Sequence, residues 1–343
     1  MALEIMAPDV AIDMGTCFFR LAVKGKGIVL YEPTLAVVSI KSKRNVEAIG
    51  EDARLLLGRV SNDIQAEHPI VDGVIADFQL TEMMLRYFLR KAIGGLRISK
   101  PRIVISVPCG LTAVERRAID ETSRSAGARA VHVVDQPFAA ALGTGLPVYE
   151  PMGSMLVDIG GGTTEVALIS CGGLVVSRSI RIAGNKMDEA IVHYMKTEHK
   201  ILISDRIAED LKIDIGSAVP PRDARKVVVR GRDVVTGLPR HVEVEIGEIY
   251  TALGEPLEAV VEAVRWVLER TPPELASDVL RAGVYLTGGG AQLTGLDVLI
   301  ATELGVPVQV AKTPDECVVW GAYYLAENMD IIPRIGQGDT MVE

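Results

Sequence analysis

The sequence predicts an α/β protein made of two related halves that face each other across a cleft. An internal repeat is the first observation, because VAIDMGTCFFRLAV at residues 10–23 resembles MLVDIGGGTTEVALI at residues 155–169. The second is a strand–helix–strand order between residues 101 and 135, which is typical of a parallel sheet with a right-handed crossover. The third is a renewed alternation of helices and strands between residues 257 and 329.

Each copy of the repeat is predicted to form a β-hairpin. An apolar strand runs into Asp-x-Gly, a small polar turn and a second strand. The turn is too short for a crossover helix, so the two strands must pair antiparallel. Asp13 and Asp158 occupy matching places in the two copies, and we expect both to point into the cleft.

Regular elements follow each hairpin. In the first half we predict strands at 101–108 and 130–135, a helix at 111–128 that ends at Gly127, and a helix that opens at 136. In the second half, the pattern predicts helices at 257–272, 293–305 and 315–329, with strands at 282–287 and 306–311. Residues 34–68 and about 185–245 have the character of smaller insertions, and TGLP at 236–239 marks a turn in the second of them.

Composition bounds the function. The chain has 343 residues, enough for two domains, and a net charge of −9 argues against a basic nucleic-acid-binding surface. Its four cysteines are far apart and form no CxxC pair, which favours free thiols over disulfides or zinc. No apolar run reaches about 18 residues, so no transmembrane helix is predicted.

Three glycine-rich turns follow strands, after Asp13, after Asp158 and after Leu286. Glycine lets backbone N–H groups approach and wrap an anion. One such turn is equally well explained as a tight hairpin, but three turns, two of them beside aspartates, favour a phosphate chain held between the hairpins. The chain has neither GxxxxGK[ST] nor a GxGxxG that opens a helix after a first strand. Asp13 and Asp158 would then hold hydrated Mg²⁺, which takes one or two carboxylates and keeps most of its waters.

Several segments together resemble the MreB family of bacterial actins, within the superfamily of actin, sugar kinases and heat-shock chaperone ATPases. The resemblance covers nearly the whole chain and implies an actin-like, ribonuclease-H-like duplicated fold with a nucleotide cleft between two lobes. It implies lobe I from residues 1–33, 69–150 and 316–343 with a small subdomain at 34–68, and lobe II from 151–184 and 246–315 with a small subdomain at 185–245. The segments are DGVIADF (72–78), VDIGGGTTEVALIS (157–170), MDEAI (187–191), TGLPR (236–240), TPPELASDVL (271–280) and LTGGGAQLTGLD (286–297).

The resemblance also implies which residues bind ATP or ADP with Mg²⁺. Two phosphate loops, a helix that holds ribose and adenine, and an adenosine-binding turn are expected. Without the family pattern, Glu209 and Lys212 would pass for a solvated pair on a helix surface. The implied residues are Asp13, Gly15, Thr16, Cys17 and Phe18; Asp158, Gly160, Gly161, Gly162 and Thr163; Glu209, Asp210, Leu211 and Lys212; and Gly288, Gly289, Gly290 and Ala291.

Gln136 is the residue that similar proteins place opposite the γ-phosphate, and MreB-like sequences usually have Glu there. An amide is no general base at neutral pH, but it can orient water, and phosphoryl transfer depends mostly on positioning and electrostatics. With Asp158 and Thr163, Gln136 is therefore expected to act in slow ATP hydrolysis. The alternative is a side chain that caps the helix, a role that Asp135 could equally fill. Phe18, Asn185 and Lys186 also depart from the family pattern and bear on the rate.

Beyond the nucleotide, the resemblance implies paired head-to-tail filaments that organise cell-wall synthesis and rod shape together with transmembrane elongation proteins. Leu96 and Ile98, in the loop KAIGGLRISKPR, are flanked by basic residues and imply peripheral binding to the inner face of the cytoplasmic membrane. A loop packed on its own helix is the alternative. Two other functions stay open, a divergent actin for plasmid or organelle positioning and a small-molecule kinase, whereas a heat-shock chaperone would need a separate substrate-binding domain.

Overall fold

The protein was analysed as a computed structural model that describes residues 7–40, 45–57, 63–94 and 99–335. The strands are β1 (Val10–Met14), β2 (Phe18–Val23), β3 (Gly27–Pro33), β4 (Ala36–Ser39), β5 (Val46–Ile49), β6 (Ile64–Glu67), β7 (Ile70–Val71), β8 (Val74–Ile75), β9 (Arg102–Val107), β10 (Ala130–Asp135), β11 (Ser154–Ile159), β12 (Thr164–Ser170), β13 (Gly173–Ile180), β14 (Ile201–Leu202), β15 (Lys226–Asp233), β16 (Pro239–Glu245), β17 (Val284–Thr287) and β18 (Val308–Val310). The helices are α1 (Glu51–Leu56), α2 (Phe78–Ile93), α3 (Ala113–Ala126), α4 (Gln136–Thr144), α5 (Gly184–Thr197), α6 (Asp205–Ile215), α7 (Ile246–Ala252), α8 (Gly254–Glu269), α9 (Pro273–Ala282), α10 (Leu296–Leu304) and α11 (Cys317–Glu327).

Two five-stranded sheets share one strand order. The first sheet runs β10-β9-β1-β2-β3, and the second runs β13-β12-β11-β17-β18. In both, the central strand pairs antiparallel with the next strand of its hairpin and parallel with a strand that arrives after a helix. The duplication and both hairpins predicted from the sequence are therefore confirmed.

The repeat extends to single residue pairs. In the first sheet, Asp13 lies opposite Arg20 on the hairpin side and opposite Ser106 on the parallel side. In the second sheet, Asp158 lies opposite Glu165 and Thr287 at the same places. Each aspartate therefore has a charged residue on one flank and a hydroxyl on the other.

The crossover helix of the first half is built as its sequence predicts. Thr112 and Glu115 form a capping box at the start of α3, and each side chain accepts a hydrogen bond from the other's backbone N–H. The helix ends at Gly127, whose φ of 125° suits glycine. The predicted strands on both sides of it, β9 and β10, pair in parallel.

The two insertions form small sheets of their own. Strands β5-β4-β6 make one three-stranded sheet and β14-β15-β16 make the other. The predicted TGLP turn joins β15 to β16. Both third strands of the large sheets, β3 and β13, were missed from the sequence. The subdomain boundaries given above stay a prediction.

Helices α4 and α11 pack between the two large sheets. Their apolar side chains form one core cluster with Ala11 and Val104 of the first sheet and Leu156 and Ala167 of the second. The backbones of the two helices lie so close that a Cβ added at Gly321 would sit 1.7 Å from the carbonyl oxygen of Ala139. This contact joins the two halves of the molecule behind the cleft.

We predict that Gly321→Ala lowers the free energy of unfolding by about 3 kcal/mol, because a Cβ meets backbone that cannot move without separating the helices. Gly254→Ala is the matched control, since an added Cβ there meets nothing within 4 Å. Chemical denaturation followed by circular dichroism measures both. Equal stabilities for the two variants would contradict the close helix contact.

Candidate functional site

A cavity of about 530 Å³ lies between the two hairpins. Its wall combines both Asp-x-Gly turns, the start of α4, one face of α6 and the glycine turn after β17. The structure thus brings together residues that are up to 305 positions apart, from Asp13 to Val318. The sequence-predicted residues that line it are Asp13, Gly15, Thr16, Cys17, Phe18, Gln136, Asp158, Gly160, Gly161, Gly162, Thr163, Glu209, Lys212, Gly288, Gly289 and Gly290.

Three predicted residues do not line this cavity. Asp210 and Leu211 lie on α6 between Glu209 and Lys212, and the helical turn of about 100° per residue points them elsewhere. Asp210 is exposed and Leu211 packs against the core of the second half. Ala291 is buried in that same core. That these three residues contact the nucleotide therefore stays a prediction, which their absence from the cavity wall does not support.

The two hairpin turns touch at the floor of the cavity. A Cβ added at Gly162 would lie 2.4 Å from Thr16 Oγ1 and 2.9 Å from the Cα of Asp72, so only glycine fits there. Within the described part of the chain, the backbone N–H groups of Gly161 and Gly162 donate no hydrogen bond. Two free N–H donors on a turn that admits no side chain are what an anion such as a phosphate needs.

Further contacts join the halves around this floor. Cys17 Sγ donates a hydrogen bond to Asn185 Oδ1 at 3.0 Å. On the other side, the buried carboxylate of Glu165 accepts hydrogen bonds from the backbone N–H of Cys109 at 2.9 Å and from Ser179 Oγ at 2.6 Å. Burial raises the pKa of the Cys17 thiol to about 11, so this side chain is a neutral contact and no nucleophile.

Asp13 and Asp158 are both buried and both line the cavity. Burial and, to a smaller extent, the negative charge of Asp13 raise the pKa of Asp158 to about 7, against the hydrogen bond that Thr287 donates at 2.8 Å. Burial also raises the pKa of Asp13, and Arg20 opposes this shift. The negative charge of Asp13 therefore disfavours the ionised state of Asp158 across the cleft.

This pair fits a hydrated divalent cation. Two carboxylates on facing strand ends, with water-sized space and free backbone donors next to them, match the oxygen ligands that Mg²⁺ takes. Among the described residues, no cluster of three or more His, Cys, Asp or Glu side chains is arranged to hold a metal ion by itself. Such an ion would therefore be held through water and phosphate oxygens.

Gln136 is the first residue of α4 and is only 8% exposed. Its side chain lines the cavity, with Nε2 at 3.5 Å from Asp13 Oδ1. Asp135 is the N-cap residue, yet its side chain makes no capping hydrogen bond and instead accepts one from Arg116. The carboxamide therefore faces the centre of the cleft and not the helix end.

The second wall comes from α5 and α6. Lys212 Nζ donates to Asp188 Oδ2 at 2.8 Å and to the carbonyl oxygen of Gly184 at 3.0 Å. Burial raises the pKa of Asp188 to about 6, although its partner Lys212 opposes the shift. This ion pair ties the helix that carries Glu209 to the start of α5.

The glycine turn after β17 closes the remaining side. Gly288 has a φ of 80°, and an added Cβ would collide with the carbonyl oxygen of Ile159 at 2.3 Å. A Cβ at Gly289 would meet nothing within 4 Å, so this residue leaves open space. The turn thus presents backbone without side chains to the cavity, which leaves room for a ligand group to lie against it.

Sequence reasoning missed five polar residues of the cavity wall, Arg20, Tyr31, Gln292, Thr294 and Asp315. Arg20 was within reach, because a hairpin that turns at residues 14–17 places residue 20 opposite Asp13. Tyr31 and Asp315 could not be found, since no local pattern shows that β3 and the segment after β18 come beside the hairpin.

Leu96 and Ile98, predicted to touch the membrane, lie outside the described residues. In the part of the chain that the structure covers, every helix is too short or too polar to cross a bilayer.

The two sheets of common order, with paired hairpins around one cleft, define the actin-like class of fold. The sequence profile of the MreB/Mbl protein family matches residues 7–334, and the chain belongs to this family. It is 46% identical to the cell shape-determining protein Mbl of Bacillus subtilis over 331 residues, covering 96% of this chain and 99% of Mbl. It is 48% identical to the cell shape-determining protein MreB of Escherichia coli over 329 residues, or 94% of each chain.

Solved structures agree with this assignment. The crystal structure of MreB5 of Spiroplasma citri bound to AMPPNP superposes with a TM-score of 0.89 at 34% identity, covering 94% of this chain and 97% of MreB5. A MamK double helical filament superposes with a TM-score of 0.79 at 19% identity, covering 93% of this chain and 99% of MamK. The second likeness shows the actin-like fold alone.

We predict that Asp158→Asn stabilises the protein in EDTA without nucleotide. Because the folded-state pKa of Asp158 exceeds its ordinary 3.8, stability is lost as the pH rises from about 4 to about 7, and a neutral amide removes that loss. The gain in unfolding free energy should be about 2 kcal/mol larger at about pH 8 than at about pH 5.5. Thermal denaturation at the two pH values measures it.

The control is Asp9→Asn. Asp9 is also buried, but its carboxylate receives two hydrogen bonds from Arg102, at 2.8 and 2.6 Å, so its neutralisation should lower the melting temperature. A fall in stability for both variants at about pH 8 would contradict the account of Asp158.

Proposed function

We propose that this protein is an ATP-binding, filament-forming cell-shape protein that holds Mg²⁺ and a nucleotide between its two halves and hydrolyses ATP slowly. The observation that carries the proposal is the meeting of both Asp-x-Gly hairpins on one cavity. Relatives crystallised as MreB5 bound to AMPPNP and to ADP support a nucleotide in this place.

In this proposal, different residues bind the phosphates, the ribose, the base and the Mg²⁺ of the ligand. The free N–H groups of Gly161 and Gly162 and the turn at Gly15 and Thr16 bind the phosphates from both sides. The face of α6 that carries Glu209 and Lys212 binds the ribose, and the turn at Gly288–Gly290 supports the base. Asp13 and Asp158 hold the waters of Mg²⁺, which would neutralise charge on the phosphates when bound.

Gln136 is proposed to orient the attacking water. Its Nε2 lies beside Asp13, which leaves the amide oxygen available to accept a hydrogen bond from water. The amide cannot take the proton at neutral pH, so the chemistry depends on positioning and on the electrostatics of the closed cleft. Slow hydrolysis follows.

Filaments would form head to tail, with the two small insertions of successive subunits in contact. A heterologous contact of this kind extends without closing. Both insertions present exposed apolar side chains, with Ile40 and Leu55 58% and 59% exposed on one and Val235 and Leu238 86% and 64% exposed on the other. Such residues are candidates for a protein–protein interface.

The filament is proposed to lie at the inner face of the cytoplasmic membrane, with Leu96 and Ile98 as the apolar contacts and with transmembrane cell-wall elongation proteins as partners. Each subunit contributes weak binding, and many subunits on one filament gain avidity. The names of the relatives, cell shape-determining proteins, support the role in rod shape.

We predict that Gln136→Glu raises the rate of phosphate release per polymerised subunit by more than about twofold, because a carboxylate can also accept a proton. Phosphate release measured beside sedimentation gives the rate per polymer. Asp135→Asn is the control, since it breaks the Arg116 ion pair at the same helix end without changing a cavity-lining group. An unchanged rate for Gln136→Glu would mean that the side chain has no part in hydrolysis.

We further predict that Leu238→Asp reduces the protein that sediments with Mg²⁺ and ATP to less than about half, as expected for the loss of a central apolar contact. Leu280→Asp, on α9, is matched in residue type and in exposure, 60% against 64%, and should sediment like the wild type. Electron microscopy of the same samples should show filaments. Monomers alone at every wild-type concentration would overturn the filament proposal.

A further inference from the structure

Arg20 is a buried cation in the wall of the cavity. It is 9% exposed, and its guanidinium donates from Nη1 to Asp13 Oδ2 at 3.1 Å and from Nη2 to Tyr31 Oη at 3.1 Å. Nη2 also lies 3.7 Å from Asp315 Oδ2, and the group stacks over the ring of Tyr31 at 4.5 Å. These contacts hold the positive charge of Arg20 next to Asp13, one of the two carboxylates that would face Mg²⁺.

The second half has the opposite charge in the equivalent place. Glu165 lies across from Asp158 as Arg20 lies across from Asp13. Among the described residues, only Arg20 and Lys212 bring a cationic side chain to the cavity wall, and Lys212 is paired with Asp188. Arg20 is thus the cation of the cavity wall that is paired with one of the two cleft aspartates, Asp13.

A triphosphate placed between two carboxylates is repelled unless positive charge lies between them. Mg²⁺ is the usual source of that charge, but a guanidinium is always protonated and stays in place when the metal is removed. The buried Nε of Arg20 has no hydrogen-bond partner among the described residues, so the guanidinium is only partly satisfied by hydrogen bonds.

We propose that Arg20 supplies part of the positive charge that Mg²⁺ would otherwise provide, so that this protein binds ATP with reduced dependence on the metal. Arg20 would therefore determine how strongly the protein prefers ATP with Mg²⁺ over ATP without it. The inference rests on the proposed nucleotide site and adds to it a role for a residue outside the two Asp-x-Gly turns.

Isothermal titration calorimetry with ATP, in excess Mg²⁺ and in EDTA, tests it through the ratio of the two dissociation constants. Arg20→Met should raise the ratio of the EDTA value to the Mg²⁺ value at least tenfold, equivalent to ~1.4 kcal/mol. Arg20→Lys, which keeps the charge, should stay within about threefold of the wild type. Tyr31→Phe removes a hydrogen bond to Arg20 and leaves its charge, so its ratio should also stay near the wild type.

Asp315→Asn tests the charge of Arg20 by strengthening its effect instead of removing it. It removes an acid beside the guanidinium, so it should tighten binding in EDTA more than in Mg²⁺ and lower the ratio. This variant keeps the test decisive if Arg20→Met does not fold.

Ratios that none of these variants changes, while the wild type binds ATP, would overturn the role of Arg20 and leave the nucleotide site intact. A wild type that binds ATP in neither buffer would overturn the proposed function and this inference together.

Discussion

The constraint on which the rest of the structure depends is the charge of two buried carboxylates that face one cavity. Asp13 and Asp158 each end the central strand of a five-stranded sheet, and the shared strand order brings both to the same cleft. Helices α4 and α11 lock the sheets together behind it, so the acids cannot move apart without opening the core. Because burial raises the pKa of both acids, their ionised forms are unfavourable on their own and become favourable when a cation enters.

The two halves place different residues beside their buried aspartates. On the first sheet, Arg20 offsets the charge of Asp13 directly. On the second sheet, the equivalent Glu165 adds negative charge, and it accepts a hydrogen bond from the backbone N–H of Cys109 in the other half. Duplication of the sheet therefore sets the geometry of the cleft. The halves differ at one cross-strand position, where Arg20 compensates the charge of Asp13 and Glu165 accepts a hydrogen bond from the other half.

Much of this arrangement could be predicted from the sequence, because the decisive features are local. The repeated Asp-x-Gly hairpins gave the fold class, the aspartate pair and the phosphate turns. Strands β3 and β13 were missed from the sequence because both are half-exposed and mix polar with apolar residues. Asp210 and Leu211 were predicted together with Glu209 and Lys212, but the helix turns their side chains away from the cavity wall. Tyr31 and Asp315 come to Arg20 only through tertiary contacts.

Hydrogen–deuterium exchange in the presence and absence of Mg²⁺ and ATP tests the central claim most directly. If the nucleotide is held between the hairpins, the amides of residues 13–18 and of residues 158–163 must become protected together, at the same ATP concentration. Protection of one hairpin without the other, or of neither under conditions where calorimetry shows ATP bound, would contradict a site shared by the two halves.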